Sequence, residues 1–510
     1  MKEKVLETYK IKAVETELEV NILEREEEFV RIYHMNFPEF GEGTEAVLKN
    51  LKRSIITDSS IQADRMMDPK FLNELKKKFQ EKAEKILDKE LPNIAEGSKD
   101  LLIGLLLEEM LGLGKLEFLL EDGNIEEIVV NAASQPVWVY HKGFGWLKTN
   151  IFITPESEIQ NYASIIARRI GKQITILNPL LDAHLITGDR ANATLFPISG
   201  KGNTITIRRF RREPYTVTDF VGNNTVNTEI MALIWLAMEY ELNIIFSGGT
   251  GSGKTTSLNV CLPFIQPNQR ILSIEDTREI SLADYLHWVP LTTREANTEG
   301  KGEVTMLNLL VNSLRMRPDR LIVGEIRRQR EAEVLFEAMH TGHSAYTTFH
   351  ANTAEETIRR LINPPIEIPK TMLDSVHLNV VMFRNRRLNV RRVLQVVEYI
   401  TERRGETEEV KANVLYRWKG ATDTIEKHSE SIRLFDELGL HTGFSKQEMS
   451  AELKTKKTIL DWFVKNKIRK TNDIGRIIAN YYMDKDEIIK LAESGKKPAF
   501  LEEEKNAKNR

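Results

Sequence analysis

A chain of 510 residues is longer than one hydrophobic core supports, and its composition is that of a globular protein with about three domains. Its 72 Lys and Arg nearly cancel its 75 Asp and Glu, and a net charge of −3 gives no overall pull toward nucleic acid or acidic lipid. The single cysteine, Cys261, excludes an internal disulfide and a cysteine metal site, and a reducing cytoplasm is the compartment it suits.

In chain order, the alternation in Leu18-Glu-Val-Asn-Ile22 and Val30-Arg-Ile32 predicts strands, and Thr44 to Ile56 predicts a short helix. Asp68 to Leu91 has the spacing of a charged amphipathic helix, with Phe71, Leu75, Phe79 and Ile86 on one side. These segments form a lead, 1–96, without a catalytic signature. After Gly97 a helix gathers Leu101, Leu102, Leu105, Leu106 and Met110. The window from Leu101 to Leu120 is broken by Glu108, Glu109, Lys115 and Glu117, so neither a signal peptide nor a transmembrane helix is expected.

Ile125 to Asn131 and Val137 to Tyr140 predict strands, and Thr154 as N-cap before Pro155 opens a helix that Gly171 closes. Gly188 to Leu195 and Thr204 to Phe210 complete an expected α+β domain over 97–213, and the turn-rich 214–224 has the look of a linker. From 225 to 401 short apolar strands alternate with helices, which predicts an α/β domain with a mostly parallel sheet. Beyond it we expect a separate helical module over 402–494 and a disordered tail over 495–510.

The chemistry is concentrated in the third of these domains. Ile244, Ile245 and Phe246 form an apolar run that leads into Gly248-Gly249-Thr250-Gly251-Ser252-Gly253-Lys254-Thr255-Thr256. In Gly-x4-Gly-Lys-Thr the glycines let backbone N–H groups turn onto phosphate oxygens, Lys254 can reach the β- and γ-phosphates, and the Thr255 hydroxyl can ligate Mg²⁺. A phosphate cradle alone suits a kinase, a GTPase or a motor, so its companions decide the class. Arg270 to Glu279 predicts a strand that delivers Glu275 and Asp276 where a parallel sheet places its ligands, and a carboxylate there can orient and deprotonate an attacking water. Leu321 to Arg327 predicts another, ending in Gly324-Glu325, with Glu325 holding Mg²⁺ through water. In Thr341 to Asn352, His343 and His350 flank a short strand. With no cysteine and no tight histidine spacing, a γ-phosphate or interface contact is favoured for them over a metal.

This order of boxes resembles the secretion ATPase superfamily, the motors of type II and type IV secretion and of type IV pili. Its Walker A, Asp, Walker B and His boxes match Gly248 to Thr256, Ile274 to Glu279, Leu321 to Arg327 and Thr341 to His350, and Leu111 to Ile128 also resembles the family's N-terminal domain. The resemblance covers about Leu101 to Ile400. One cysteine cannot supply the four-cysteine zinc element of many bacterial members. Arg359 to Met372 lacks the Ala-Ile-Arg-Asn-Leu helix of pilus retraction motors. The chain thus looks more like the archaeal branch, which includes archaellum, pilus and type II-like secretion ATPases. Arg328 departs from the aspartate common after Gly-Glu-x-Arg.

The resemblance implies a RecA-like P-loop ATPase domain behind an α+β N-terminal domain, in a ring-forming homo-hexamer that hydrolyses ATP with Mg²⁺. It implies a polytopic membrane platform protein as partner and a cytoplasmic place at the inner face of the membrane. It also implies arginines that complete the site, for which Arg190, Arg208 and Arg209 are placed in the N-terminal domain and Arg294 precedes Walker B. An arginine run in a strand is equally a salt-bridged face. The alternative on the same sheet is a nucleic-acid translocase, against which stand the near-zero charge and the lack of an aromatic-basic stretch; no stable nucleic-acid binding is expected.

Overall fold

Among the described residues two nine-stranded sheets carry the fold, one in each of the two units, 1–211 and 212–510, into which the chain divides. The computed structural model describes residues 3–13, 16–37, 47, 50–51, 69–91, 96–185, 188–209, 213–296, 300–385, 387–388, 390–404, 407–498 and 501.

The first unit contains β1 (Glu3–Ala13), β2 (Thr16–Arg25), β3 (Ile32–Asn36), α1 (Pro69–Glu90), α2 (Glu96–Leu111) and α3 (Lys115–Glu121). It continues with β4 (Ile125–Val130), β5 (Pro136–His141), β6 (Gly145–Phe152), α4 (Glu156–Arg169), β7 (Leu180–His184), β8 (Arg190–Thr194) and β9 (Thr204–Arg208). The sheet runs β1-β2-β3-β6-β5-β4-β9-β8-β7. The expected lead is therefore built into the sheet of the following domain: Ile32 and Tyr33 pair in parallel with Lys148 and Thr149 of β6. Tyr33 and Tyr9 both donate to the buried Asp122 carboxylate, at 2.8 and 2.7 Å, and fasten these strands to the turn before β4. The sequence hides β1 because it is an edge strand with charged residues on both faces. The predicted N-cap also shifts. Helix α4 begins at Glu156, whose carboxylate accepts from Ala133 N at 2.7 Å and Asn203 N at 2.8 Å, with Pro155 in the cap position in place of Thr154. The short helix expected at 44–56 falls almost wholly outside the described residues.

The second unit opens with α5 (Val217–Gly222), α6 (Thr228–Glu239), β10 (Ile244–Gly248), α7 (Lys254–Cys261), β11 (Ile271–Glu275) and β12 (Trp288–Thr292). Next come α8 (Met306–Ser313), β13 (Arg320–Val323), α9 (Gln329–His340), β14 (Ser344–Phe349) and α10 (Ala354–Ile362). It ends with β15 (Leu378–Asn385), β16 (Val390–Arg404), β17 (Thr407–Lys419), β18 (Thr424–Lys427), α11 (Leu434–Thr442), α12 (Lys446–Lys465), α13 (Thr471–Met483) and α14 (Lys485–Ser494). Its sheet order is β12-β11-β13-β14-β10-β15-β16-β17-β18, parallel from β12 to β15 and antiparallel thereafter. Helices cover both faces, so the central strands are apolar throughout. Along β13, Ile322 faces the core of Trp235, Phe264 and Phe463, while Leu321 and Val323 face that of Phe336 and Leu361.

Two expected boundaries move. The supposed linker contains α5, whose start is held by Thr216 N and Oγ1 donating to Asp219 Oδ2, both at 3.0 Å; its turn-like look came from the flanking Pro214, Asn223 and Asn224. The segment 402–494 begins with the sheet strands β16 to β18 and shares the core of the domain before it. Trp235 of α6 stacks on Phe264 at 5.3 Å and meets Tyr481 of α13 edge-on at 5.0 Å. Lys456 of α12 is fully buried between Glu239 and Glu452, at 2.6 and 2.9 Å. The charged stretch from Glu402 to Lys419 lies on β16 and β17, strands of the same sheet. The expected tail lies mostly outside the described residues. Among the described residues no helix is long and apolar enough to cross a membrane.

Candidate nucleotide site

Strand β10 is buried at every position and lies between β14 and β15, so the loop that leaves it emerges at the middle of the sheet's carboxyl edge. The loop needs its glycines. A Cβ at Gly248 would stand 2.6 Å from the carbonyl oxygen of Met382, and Gly253, the N-cap of α7, has φ of 96°. Ser252 closes the turn by donating from Oγ to Gly249 O at 2.8 Å. Lys254 folds back over it, with Nζ 3.2 Å from Gly249 O, and is almost wholly buried. Thr255 and Thr256 follow on the first turn of α7, half-buried. Thr250 and Gly251 form the exposed crest of the loop.

Three neighbouring parallel strands bring their ends to the same place. Glu325, just past β13, has Oε1 3.0 Å from His350 Nε2, just past β14. Its Oε2 is 2.7 Å from Arg327 Nη2, and Arg327 Nη1 donates to Asp276 Oδ2, just past β11, at 2.8 Å. Because His350 also lies 3.4 Å from Lys254 Nζ, the groups form one continuous network: Asp276, Arg327, Glu325, His350 and Lys254. Burial lowers the pKa of His350, and the Lys254 charge lowers it further, so the imidazole is neutral at neutral pH. Burial also lowers that of Lys254, against which the Glu325 carboxylate acts.

Glu275 sits apart from this network but beside it, since a Cβ on Gly324 would come 3.3 Å from its Cγ. Its Oε1 accepts from the amides of Glu279 and Ile280, at 2.8 and 2.9 Å. Oε2 is buried without a partner. Burial pushes this carboxyl up to about 7, opposed by those two amides.

The structure thus gathers Lys254, Thr255, Glu275, Glu325 and His350. It does not gather His343. Strand β14 separates the two histidines, and six extended residues span roughly 20 Å. His343 lies at the opposite, amino edge of the sheet, in a cleft lined also by Asn243, Met339, His377 and His441. In the first unit, Arg190 and Arg208 are cross-strand partners on β8 and β9, and Arg208 is also opposite Glu127 on β4. Arg209 donates to the carbonyl of Asp122 and, at 3.2 Å, to that of Ile125. Arg294 donates from Nε to Gly302 O at 2.6 Å.

Sequence reasoning missed the joining role of Arg327 and Asp276. It also missed Asn352, whose Oδ1 would be 2.7 Å from a Cβ on Gly249, and Arg391, which donates to Gly251 O at 3.1 Å. The run Arg-Asn-Arg-Arg-Leu-Asn-Val-Arg-Arg over 384–392 was the available signal for Arg391, but only the hairpin register turns it toward the loop.

Residues 189–434 match the family described as "Type II/IV secretion system protein". The chain is 35% identical over 409 residues to an uncharacterized protein of Methanocaldococcus jannaschii, covering 79% of this chain and 71% of that one. It is 28% identical over 310 residues to the type IV secretion system protein PtlH of Bordetella pertussis, covering 56% of this chain and 87% of that one. A solved structure of the pilus retraction motor PilT with bound ADP is 18% identical with a TM-score of 0.40, covering 69% of this chain and 93% of that one.

Proposed function

The chain belongs to the type II/IV secretion ATPase superfamily, and from that premise we propose that it is a mechanical motor, hydrolysing ATP in a RecA-like domain of a homo-hexameric ring. Its work is the assembly or secretion of pilin-like subunits, driven through a polytopic membrane platform protein from the cytoplasmic face. The M. jannaschii relative supports the archaeal branch among the possible systems. The observation that carries this reading is the single network that joins Lys254 of the glycine loop to His350, Glu325, Arg327 and Asp276.

The residues fit a magnesium nucleotide. Gly248 and Gly249 leave no room for side chains, and the hydroxyl of Thr255 with the carboxylate of Glu325 is the hard oxygen set that Mg²⁺ takes alongside phosphate. When bound, Mg²⁺ neutralises phosphate charge. The amides from Gly251 to Thr255 and the Lys254 ammonium hold the β- and γ-phosphates. Glu275 receives the proton of the attacking water at Oε2, for which a pKa of about 7 suits a base working near neutral pH. A bond from water oxygen to γ-phosphorus forms as the bond to the β–γ bridging oxygen breaks, releasing ADP and phosphate. Such a transition state needs mostly positioning and charge neutralisation. To Arg190 and Arg208 we assign further neutralisation, and to Arg209, already bound to two carbonyls, a positioning role.

Phosphate release by the purified protein, with particle mass by light scattering, tests the proposal. Absence of ATP-dependent release would sink it. Stimulation by DNA, without stimulation by anionic vesicles, would favour a nucleic-acid translocase instead.

A further inference from the structure

Arg384 of β15 and Arg391 of β16 are direct cross-strand partners, and both stand against the crest of the glycine loop. Arg391 donates from Nε to the carbonyl of Gly251 at 3.1 Å. A Cβ on Gly251, whose φ is 70°, would come 2.8 Å from Arg384 Nη1, so that guanidinium is pressed against the loop where no side chain holds it off. Arg384 Nε is buried and has no hydrogen-bond partner. Among the described residues neither guanidinium is ion-paired with a carboxylate.

Like charges directly opposite across two strands destabilise a sheet unless an anion lies between or beside them. Here no acid is supplied, and the nearest feature built for an anion is the loop itself. Turning the Gly251 carbonyl toward Arg391 also leaves the following amides free to face inward on phosphate. We propose that Arg384 and Arg391 are a same-chain cation pair of the nucleotide site: Arg384 binds the polyphosphate of a nucleoside triphosphate, and Arg391 positions Gly251. This rests on the ATPase reading above. It gives the second unit two cations besides Lys254, delivered by a hairpin that lies outside all four boxes.

Equilibrium binding of MgATP and of tripolyphosphate, with melting in the absence of ligand, tests the pair in Arg384→Ala, Arg384→Lys and Arg391→Ala. A lost charged hydrogen bond weakens both ligands by about tenfold or more in Arg384→Ala, and lysine restores part of the tripolyphosphate affinity. Because relief of like charge accompanies the loss, the ligand-free melting temperature of Arg384→Ala is no lower than that of the wild type. Arg391→Ala raises KM with less effect on kcat. Wild-type tripolyphosphate affinity in Arg384→Ala, while Lys254→Ala loses it, overturns the pair and leaves the ATP site standing. Unchanged binding in Lys254→Ala as well overturns the nucleotide-site reading itself. A lowered ligand-free melting temperature in both Arg384 variants, with binding lost in step, makes the arginine structural and also overturns the proposal.

Discussion

Lys254 Nζ lies 3.4 Å from His350 Nε2, although the two residues come from different turns at the ends of adjacent strands. An ammonium can sit so close to an imidazole only if the ring is neutral, and burial and the Lys254 charge both hold its pKa down. Glu325 Oε1 stands 3.0 Å from the same nitrogen without accepting a hydrogen bond from it. His350 thus stands between the cation of the loop and the acid that we propose holds Mg²⁺.

Lys254→Ala removes the charge that folds over Gly249. ATP affinity falls by about 10- to 100-fold, the worth of one charged hydrogen bond, and turnover is lost at ordinary ATP levels. Titration with a fluorescent ATP analogue reads the first effect and phosphate release the second. Wild-type turnover in this variant would contradict the assignment of the cradle.

Glu325→Ala separates binding from chemistry. The loop amides and Lys254 remain, so ATP affinity stays near the wild-type value. Loss of the group expected to hold Mg²⁺ lowers kcat by about a hundredfold or more. Single-turnover hydrolysis beside the binding titration checks this. Parallel loss of both would mean that Glu325 shapes the loop through His350.

Glu275 makes stability depend on pH. Its carboxyl is raised by burial from an ordinary 4.5 to about 7, so between these values the folded chain holds a proton that the unfolded chain has released. Stability present below the ordinary value is therefore lost as pH rises through about 7. For a shift of this size the loss is about 3 kcal/mol. Glu275→Gln, which keeps an oxygen for the amides of Glu279 and Ile280, should flatten the dependence in nucleotide-free protein. Urea titrations at pH 5 and pH 8 measure it, and equal slopes against pH in both proteins would refute the account.

Lys456→Ala leaves Glu239 without its 2.6 Å partner in the core where α12 meets α6. Removing one member of a buried ion pair costs about 3–5 kcal/mol. Chemical denaturation should show one cooperative transition at lower denaturant. A separate early transition confined to the last helices would instead mark them as an independent module.

The glycine loop is legible in sequence because its residues are contiguous and its geometry is set by glycine and by a helix start. Glu275, Glu325 and His350 were legible as strand ends. Their partnership was not, because it depends on which strands are neighbours: β11 beside β13, and β13 beside β14. The same gap explains His343, which sequence proximity grouped with His350 although a fully extended strand carries them apart. Strand β1 escaped notice for lack of an apolar face, and α5 because turn-forming residues bracket it. Arg391 needed the register of a hairpin to reach Gly251.

The stacking of Trp235 on Phe264, with Tyr481 against its edge, has a mechanical meaning. Helix α6 leads directly into β10, and the segment around Phe264 follows the helix that the glycine loop begins. The final helices thus pack against elements on both sides of the phosphate loop, through these rings and through the Lys456–Glu239 pair. The elements on either side of Lys254 and the helix that carries residue 481 therefore share one packed core. Removal of the last helices would open that core without deleting any residue of the nucleotide site.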